Sequence, residues 1–196
     1  MSWEKEVAEI NHRQALARQM GGPEGIERQH KRGKLTVRER IDRLVDDKSW
    51  QEFSGFVGTA RYHNGDLTGF TPKPAVDGTA RIDGRKVIVS GGDFTVRGGS
   101  AHSRFGMGQE LSATQRALEW RLPFIRLLDA AGGSVRTFEE HGRTYLPDGN
   151  GWTTHDVQLL SSSPTVSAVL GSVAGLPAIN ACLSHFSVMV RGISQL

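Results

Sequence analysis

The sequence predicts a mixed α/β fold with a hairpin-rich front and a βαβαβ run behind it. Three observations carry this. First, "AVDGTARIDGRKVIVSGGDFT" (75–95) places two strand-like runs around Asp83-Gly84, a direct hairpin signal. Second, "FIRLLDA", "TVSAVLGS" and "FSVMV" are short runs apolar on both faces, separated by helical stretches, which implies parallel pairing with helical cover. Third, glycine pairs recur at 91–92, 98–99 and 132–133, where strands end and turns begin.

Taken in order, residues 1–48 read as a charged helical arm. "WEKEVAEINHRQALARQM" sets Val7, Ile10 and Leu16 at loose helical spacing, and "GGPEG" (21–25) breaks it. Thr36 with Glu39 forms a capping-box pair that opens a short helix through Val37, Ile41 and Leu44. The arm is expected to pack on a partner rather than to take part in chemistry. From Trp50 the texture changes to the hairpin. "GQELSATQRALEW" is a helix ended before Pro123, and "FIRLLDA" (124–130) is a buried strand. "TTHDVQLLSS" is a helix capped by Thr153 or Thr154, and "TVSAVLGS" (165–172) is a second buried strand. "GLPAINACLS" is a helix with Pro177 at its first position, and "FSVMV" (186–190) closes as a strand.

Composition bounds the function. The 196 residues are 37% hydrophobic and 23% charged, with a formal net charge of +3, which is the balance of a globular chain. No run approaches the apolar length that a membrane span requires. The N-terminal "MSWEKEVAEI" has no apolar core of a signal peptide. Cys182 is the one cysteine, so no disulfide framework exists, and a reducing cytoplasm is the expected compartment. Arginine is the predominant cation and suits phosphate recognition, but the cations are interspersed with acids, as in "KLTVRERIDRLVDD", so nucleic-acid binding is not expected.

No Walker loop, G-x-G-x-x-G fingerprint, G-x-S-x-G elbow or H-E-x-x-H motif occurs. The seven histidines lack paired ligand spacing, and no metal site is expected. What remains are glycine-rich turns after strands: "DAAGGS" (129–134) and "GSVAGLP" (171–177). Such turns serve either to reverse the chain or to present backbone N–H groups, reinforced by a helix dipole, to an oxyanion. Leu176 precedes a proline and suits an N-cap, leaving its N–H and that of Gly175 free to face a ligand.

Four stretches together resemble the β subunit of biotin-dependent acyl-CoA carboxylases, the carboxyltransferase component of propionyl-CoA and acetyl-CoA carboxylases. They are "GKLTVRERIDRLVDDKSWQEF" (33–53), "ARIDGRKVIVSGGDFTVRGGS" (80–100), "LPFIRLLDAAGGSVR" (122–136) and "AGLPAINACLSHFSVMVRG" (174–192), in the family's order and with family-like spacing. The resemblance implies a crotonase-like (ClpP/crotonase) spiral of ββα units. It implies that residues 49–196 are the first part of the acyl-CoA-binding carboxyltransferase domain, whose remainder, with a biotin domain, lies outside this chain.

The implied reaction moves a carboxyl group from carboxybiotin to the α-carbon of an acyl-CoA through an enolate. By position, Gly175 and Leu176 fall on the family's oxyanion pair, and Gly132 and Gly133 on its glycine turn beside the acyl group. Arg97, Gly98, Gly99, Ser100, Arg104, Ala131 and Ser134 fall on the CoA side, with Arg97 and Arg104 expected to steer the nucleotide end. Implied partners are a biotin carboxylase or biotin carrier subunit and further copies of the chain, a hexamer being the family expectation. Departures from the family pattern are Leu176 where a second glycine is usual, Ala130-Ala131, Arg97 in place of an apolar residue, His185 in place of an aspartate, and the segment 138–152. These leave the acyl chain open. The other readings are the carboxyltransferase subunit of a biotin-dependent decarboxylase, running the chemistry backward, and a non-catalytic CoA-binding or assembly module.

Overall fold

The computed structural model describes residues 2–53, 55–100, 112–133, 139, 142 and 152–196. Among them a six-stranded sheet runs in the order β1-β4-β5-β6-β7-β8, and a separate hairpin pairs β2 with β3. The strands are β1 (Gln51–Phe53), β2 (Gly58–His63), β3 (Asp66–Pro72), β4 (Ala75–Ile82), β5 (Arg85–Gly92), β6 (Phe124–Ala130), β7 (Thr165–Val173) and β8 (Phe186–Met189). The helices are α1 (Glu4–Arg18), α2 (Gly22–Lys31), α3 (Val37–Leu44), α4 (Ala113–Trp120), α5 (Trp152–Ser162) and α6 (Leu176–Cys182). A 3₁₀ turn covers Arg97–Gly99.

β4 and β5 form the antiparallel hairpin expected at Asp83-Gly84, both of which take positive φ. From β5 onward every pairing is parallel: β5 with β6, β6 with β7, β7 with β8. The fold is therefore the ββα type of arrangement that the sequence implied. The β2–β3 hairpin, turning at Asn64-Gly65, was not anticipated.

Alternation along the strands divides the core between two helical layers. Val87, Val89 and Leu127 point to one face and pack with Val37 and Ile41 of α3. Ile88 and Phe124 point to the other and pack with Ala117 of α4 and Leu159 of α5. Val169 and Val173 of β7 meet Ala181 of α6 on that second face. So α3 is buried against its own sheet, held at its start by the predicted Thr36–Glu39 capping box. α1 is the exposed part of the N-terminal region, with Val7 and Ile10 facing out.

Three helix starts differ from expectation. α5 begins at Trp152, so neither Thr153 nor Thr154 is its N-cap. α4 begins at Ala113 behind a Ser112–Gln115 capping box, later than the predicted run; 101–111 lie outside the described residues. α6 begins at Leu176, which puts Pro177 at its second position. No described helix is long and apolar enough to cross a membrane.

Candidate active site

The parallel strands deliver their glycine turns to one place. β6 ends at Ala130 and β7 at Val173, neighbours in the sheet, and Ala130 pairs with Val173. The Ala174 N–H donates to Ala130 O at 3.1 Å, fixing the two chain exits side by side. Gly132, with φ of 86°, sits so close to the second turn that a Cβ would lie 3.1 Å from Ala174 O. Gly175 faces Gly132 across a gap that a Cβ would fill to 3.8 Å of its Cα. The carboxyl ends of parallel strands are where open α/β folds place ligands.

Gly175 is the N-cap of α6, with φ of 67° and ψ of −134°, a combination that excludes a side chain. Leu176 is the first helical residue, not the cap expected for it, because only glycine can make the turn one position earlier. The Gly175 and Leu176 N–H groups have no acceptor among the described residues, in keeping with the unpaired donors of a helix start. Gly133 is exposed and Gly132 buried.

The third loop comes from β5. Ala131 N–H donates to Gly98 O at 2.8 Å, which lays the 97–99 turn along the end of β6. A Cβ on Gly99 would stand 2.6 Å from Asp129 O, so the close approach depends on that glycine. Arg97 is exposed at the rim with φ of 50°, and Ser100 is buried. Gly132, Gly133, Gly175, Leu176, Arg97, Gly98, Gly99, Ser100 and Ala131 thus gather around the ends of β5, β6 and β7. Arg104 and Ser134 lie outside the described residues. His185, one of the departures, is structural: its Nδ1 accepts from Thr165 N–H at 3.1 Å and its own N–H donates to Thr165 O at 2.9 Å, joining the starts of β7 and β8. No described group of histidine, cysteine or carboxylate residues could hold a metal ion.

Two buried charges in β6 escaped the sequence reading. Arg126 is 3% exposed, pairs with Asp156 of α5, and donates to Asn180 O at 3.1 Å and Leu183 O at 2.7 Å at the end of α6. Burial pushes the Arg126 guanidinium pKa down and the Asp156 carboxyl pKa up, each opposed by the attraction of its partner. Asp129 is fully buried and accepts from Lys34 Nζ at 2.9 and 3.0 Å, Arg40 Nη2 at 2.8 Å and Gln29 Nε2 at 3.0 Å.

With this geometry in place, comparison with known families is decisive. The profile described as "Carboxyl transferase domain" matches residues 28–196. The chain belongs to the carboxyl transferase domain family. Relatives of this carboxyl transferase domain include the propionyl-CoA carboxylase beta chain of Cereibacter sphaeroides, 33% identical over 97% of this chain. The methylmalonyl-CoA decarboxylase subunit alpha of Veillonella parvula is 28% identical over 100% of it. Among solved structures, transcarboxylase 12S with methylmalonyl-coenzyme A and methylmalonic acid bound superposes with a TM-score of 0.75, at 26% identity over 96% of this chain. The chain spans 36% of the length of the propionyl-CoA carboxylase relative and 36% of the transcarboxylase chain. The crotonase-like carboxyltransferase fold expected from the sequence is the fold of this carboxyl transferase domain.

Proposed function

We propose that this chain is the N-terminal part of a carboxyltransferase that moves a carboxyl group to or from the α-carbon of an acyl-CoA, and that its glycine turns bind the thioester. The observation that carries the reading is the convergence of the 131–133 and 174–176 turns at the ends of β6 and β7, in a chain of the carboxyl transferase domain family. The transcarboxylase that shares the fold binds methylmalonyl-coenzyme A.

In this reading the N–H groups of Gly175 and Leu176 donate to the thioester oxygen. When the α C–H bond breaks, the proton passes to a base on the biotin side, outside this chain, its electron pair delocalises onto that oxygen, and the charge grows where the two donors lie. The new C–C bond then forms between the α-carbon and CO2 that cleavage of the carboxybiotin N–C bond would release, and the oxygen returns to a carbonyl. Gly132 and Gly133 let the backbone approach the acyl group from the other side, and Gly98–Ser100 with Ala131 line the path toward CoA. Arg97 at the rim, and Arg104 and Ser134 by family position, meet the CoA portion. The carboxyl group would come from carboxybiotin on a carrier subunit. In this reading the described turns form a backbone cradle for a thioester carbonyl, and carboxybiotin would be held by a second domain outside this chain.

The full protein then works with a biotin carboxylase or biotin carrier subunit and assembles from several copies, as the hexameric transcarboxylase does. Light scattering on the full-length protein that shows only monomer would overturn the assembly. The relation to methylmalonyl-CoA decarboxylase supports a second reading, in which the same cradle stabilises the same enolate after loss of CO2.

The test is Leu176→Pro in the full-length protein. Proline at a helix start is tolerated but has no N–H to donate. Turnover on an acyl-CoA panel should fall on the order of a hundredfold or more, while acyl-CoA binding falls much less, because the ground-state carbonyl needs the donor less than the enolate does. A folded Leu176→Pro protein with normal turnover would remove this N–H from the oxyanion site.

A further inference from the structure

Asp129 lies three residues before Gly132, yet its carboxylate points away from the glycine turns, into the layer formed by the N-terminal helices. Its three donors come from α2 (Gln29), the α2–α3 loop (Lys34) and α3 (Arg40). Arg40 also donates to Leu170 O of β7 at 3.0 Å, so one guanidinium grips both strands just before their turns. Gly171 makes room for the cluster: a Cβ there would lie 2.1 Å from Asp129 Oδ1 and 2.8 Å from Lys34 Nζ. The Asp129 main chain is pressed from the other side, since a Cβ on Gly92 or Gly99 would meet its carbonyl oxygen at 3.0 or 2.6 Å. This one residue therefore touches the strands and loops that carry all three turns.

Stability alone does not account for such a cluster. A buried ion pair is commonly no better than an apolar replacement, because desolvation offsets the attraction. An apolar contact can slide, whereas four directed hydrogen bonds to one carboxylate hold it in position and orientation. We propose that Asp129, gripped by Lys34, Arg40 and Gln29, is a positioning residue that sets the 131–133 turn against the 174–176 turn. The N-terminal helical layer is thereby part of the scaffold of the thioester site. The catalytic consequence rests on the carboxyltransferase reading above; the effect on the turn does not.

The experiment uses the full-length protein with Lys34→Met and Asp129→Asn. Asp129→Asn leaves two buried cations facing a neutral amide and is the variant at risk of not folding. Lys34→Met leaves a one-to-one Arg40–Asp129 pair, and the thioether can keep the contact that Lys34 makes with the Phe94 ring, 4.2 Å from its centroid. Two readouts are combined: amide hydrogen exchange, and steady-state kinetics with an acyl-CoA panel. In Lys34→Met, the hydrogen-bonded turn amides of Ala131 and Ala174 should exchange on the order of tenfold faster while β4 and β5 keep their protection. Turnover should drop on the order of tenfold or more with acyl-CoA KM within about threefold, since a small misplacement of groups that act on the transition state is costly. Unchanged exchange at Ala131 and Ala174, exchange raised equally throughout the sheet, or a loosened turn with wild-type turnover would each overturn the proposal. If wild type acts on no acyl-CoA, the carboxyltransferase reading fails, and the exchange pattern still decides whether the cluster holds the turn.

Discussion

Removing the Asp156 carboxylate should destabilise the protein far more than removing the whole Arg126–Asp156 pair. Both side chains are 4% exposed, and the pair ties β6 to α5 while Arg126 closes the carbonyl end of α6. In Asp156→Ala the guanidinium keeps Asn180 O and Leu183 O but loses its countercharge in a dry site. Breaking a buried pair from one side costs about 3–5 kcal/mol, a large part of the roughly 5–15 kcal/mol that holds a domain folded. At about 2–4 °C per kcal/mol for a domain of this size, the thermal midpoint should drop by roughly 6–20 °C. The double variant Arg126→Met/Asp156→Leu removes both charges and fills the space with apolar volume. Its remaining deficit is mainly Leu183 O left without its donor, since Asn180 O keeps Ser184 Oγ at 3.3 Å; an unsatisfied buried acceptor costs about 1–3 kcal/mol. Urea denaturation at pH 7, followed by circular dichroism on the full-length protein, measures all three. A cost below about 1 kcal/mol for Asp156→Ala, or a double variant at least as unstable as that single, would refute the reasoning that desolvation dominates this pair.

Other outcomes follow from features already described. Glu39 accepts from His30 Nε2 at 3.0 Å and from Thr36 N–H at 2.7 Å, and these hold its carboxyl at about 2, below the ordinary 4.5. A carboxyl lowered in the folded state adds stability that is complete above its unfolded pKa and lost as pH falls toward 2; thermal melts between pH 5 and 2 should show this slope in wild type and a flatter one in Glu39→Gln. Ser112→Ala removes a side-chain cap that accepts from Gln115 N–H at 3.1 Å and should cost about 1 kcal/mol in urea denaturation. Gly99→Ala forces a Cβ against Asp129 O at 2.6 Å with φ of 68°, and should reduce both stability and acyl-CoA binding, measured by calorimetry. Arg97→Ala should weaken acyl-CoA affinity more at low than at moderate salt if this exposed cation steers the ligand; affinity equal to that of wild type at both salt concentrations would remove Arg97 from that role.

Local sequence made much of this architecture readable because its signals are local. Asp83-Gly84 requires a turn, Thr36–Glu39 starts a helix, and the apolar runs of β6 and β7 require cover on both faces. The Asn64-Gly65 hairpin and the Ser112–Gln115 capping box are equally local signals; the runs that flank Asn64-Gly65 are short and polar, which weakens the strand pattern there. The glycine turns could be located from the chain alone; their convergence needed the parallel pairing of β6 with β7. The Asp129 cluster had no readable signal. Its donors stand 89 to 100 residues upstream, and "FIRLLDA" reads as an apolar strand although two of its seven residues are buried ions. The displacement of the N-cap from Leu176 to Gly175 has a backbone cause, a φ of 67° that no β-carbon tolerates easily.

The charges of β6 also work as registration marks. Arg126 and Asp129 are an odd number of positions apart, so they face opposite layers: Arg126 the carboxylate of Asp156, Asp129 the cations Lys34 and Arg40. A slip of one residue in the pairing of β6 with β5 and β7 would turn every side chain to the other face. Arg126 would then enter the layer that already holds Lys34 and Arg40, and the aspartate would turn toward the side that holds Asp156. The apolar residues of the strand could exchange faces with modest penalty, since both layers are oily. The ions could not. A misaligned sheet is thus rejected by like-charge repulsion in two places at once, and the strand that ends at the glycine turn admits one alignment.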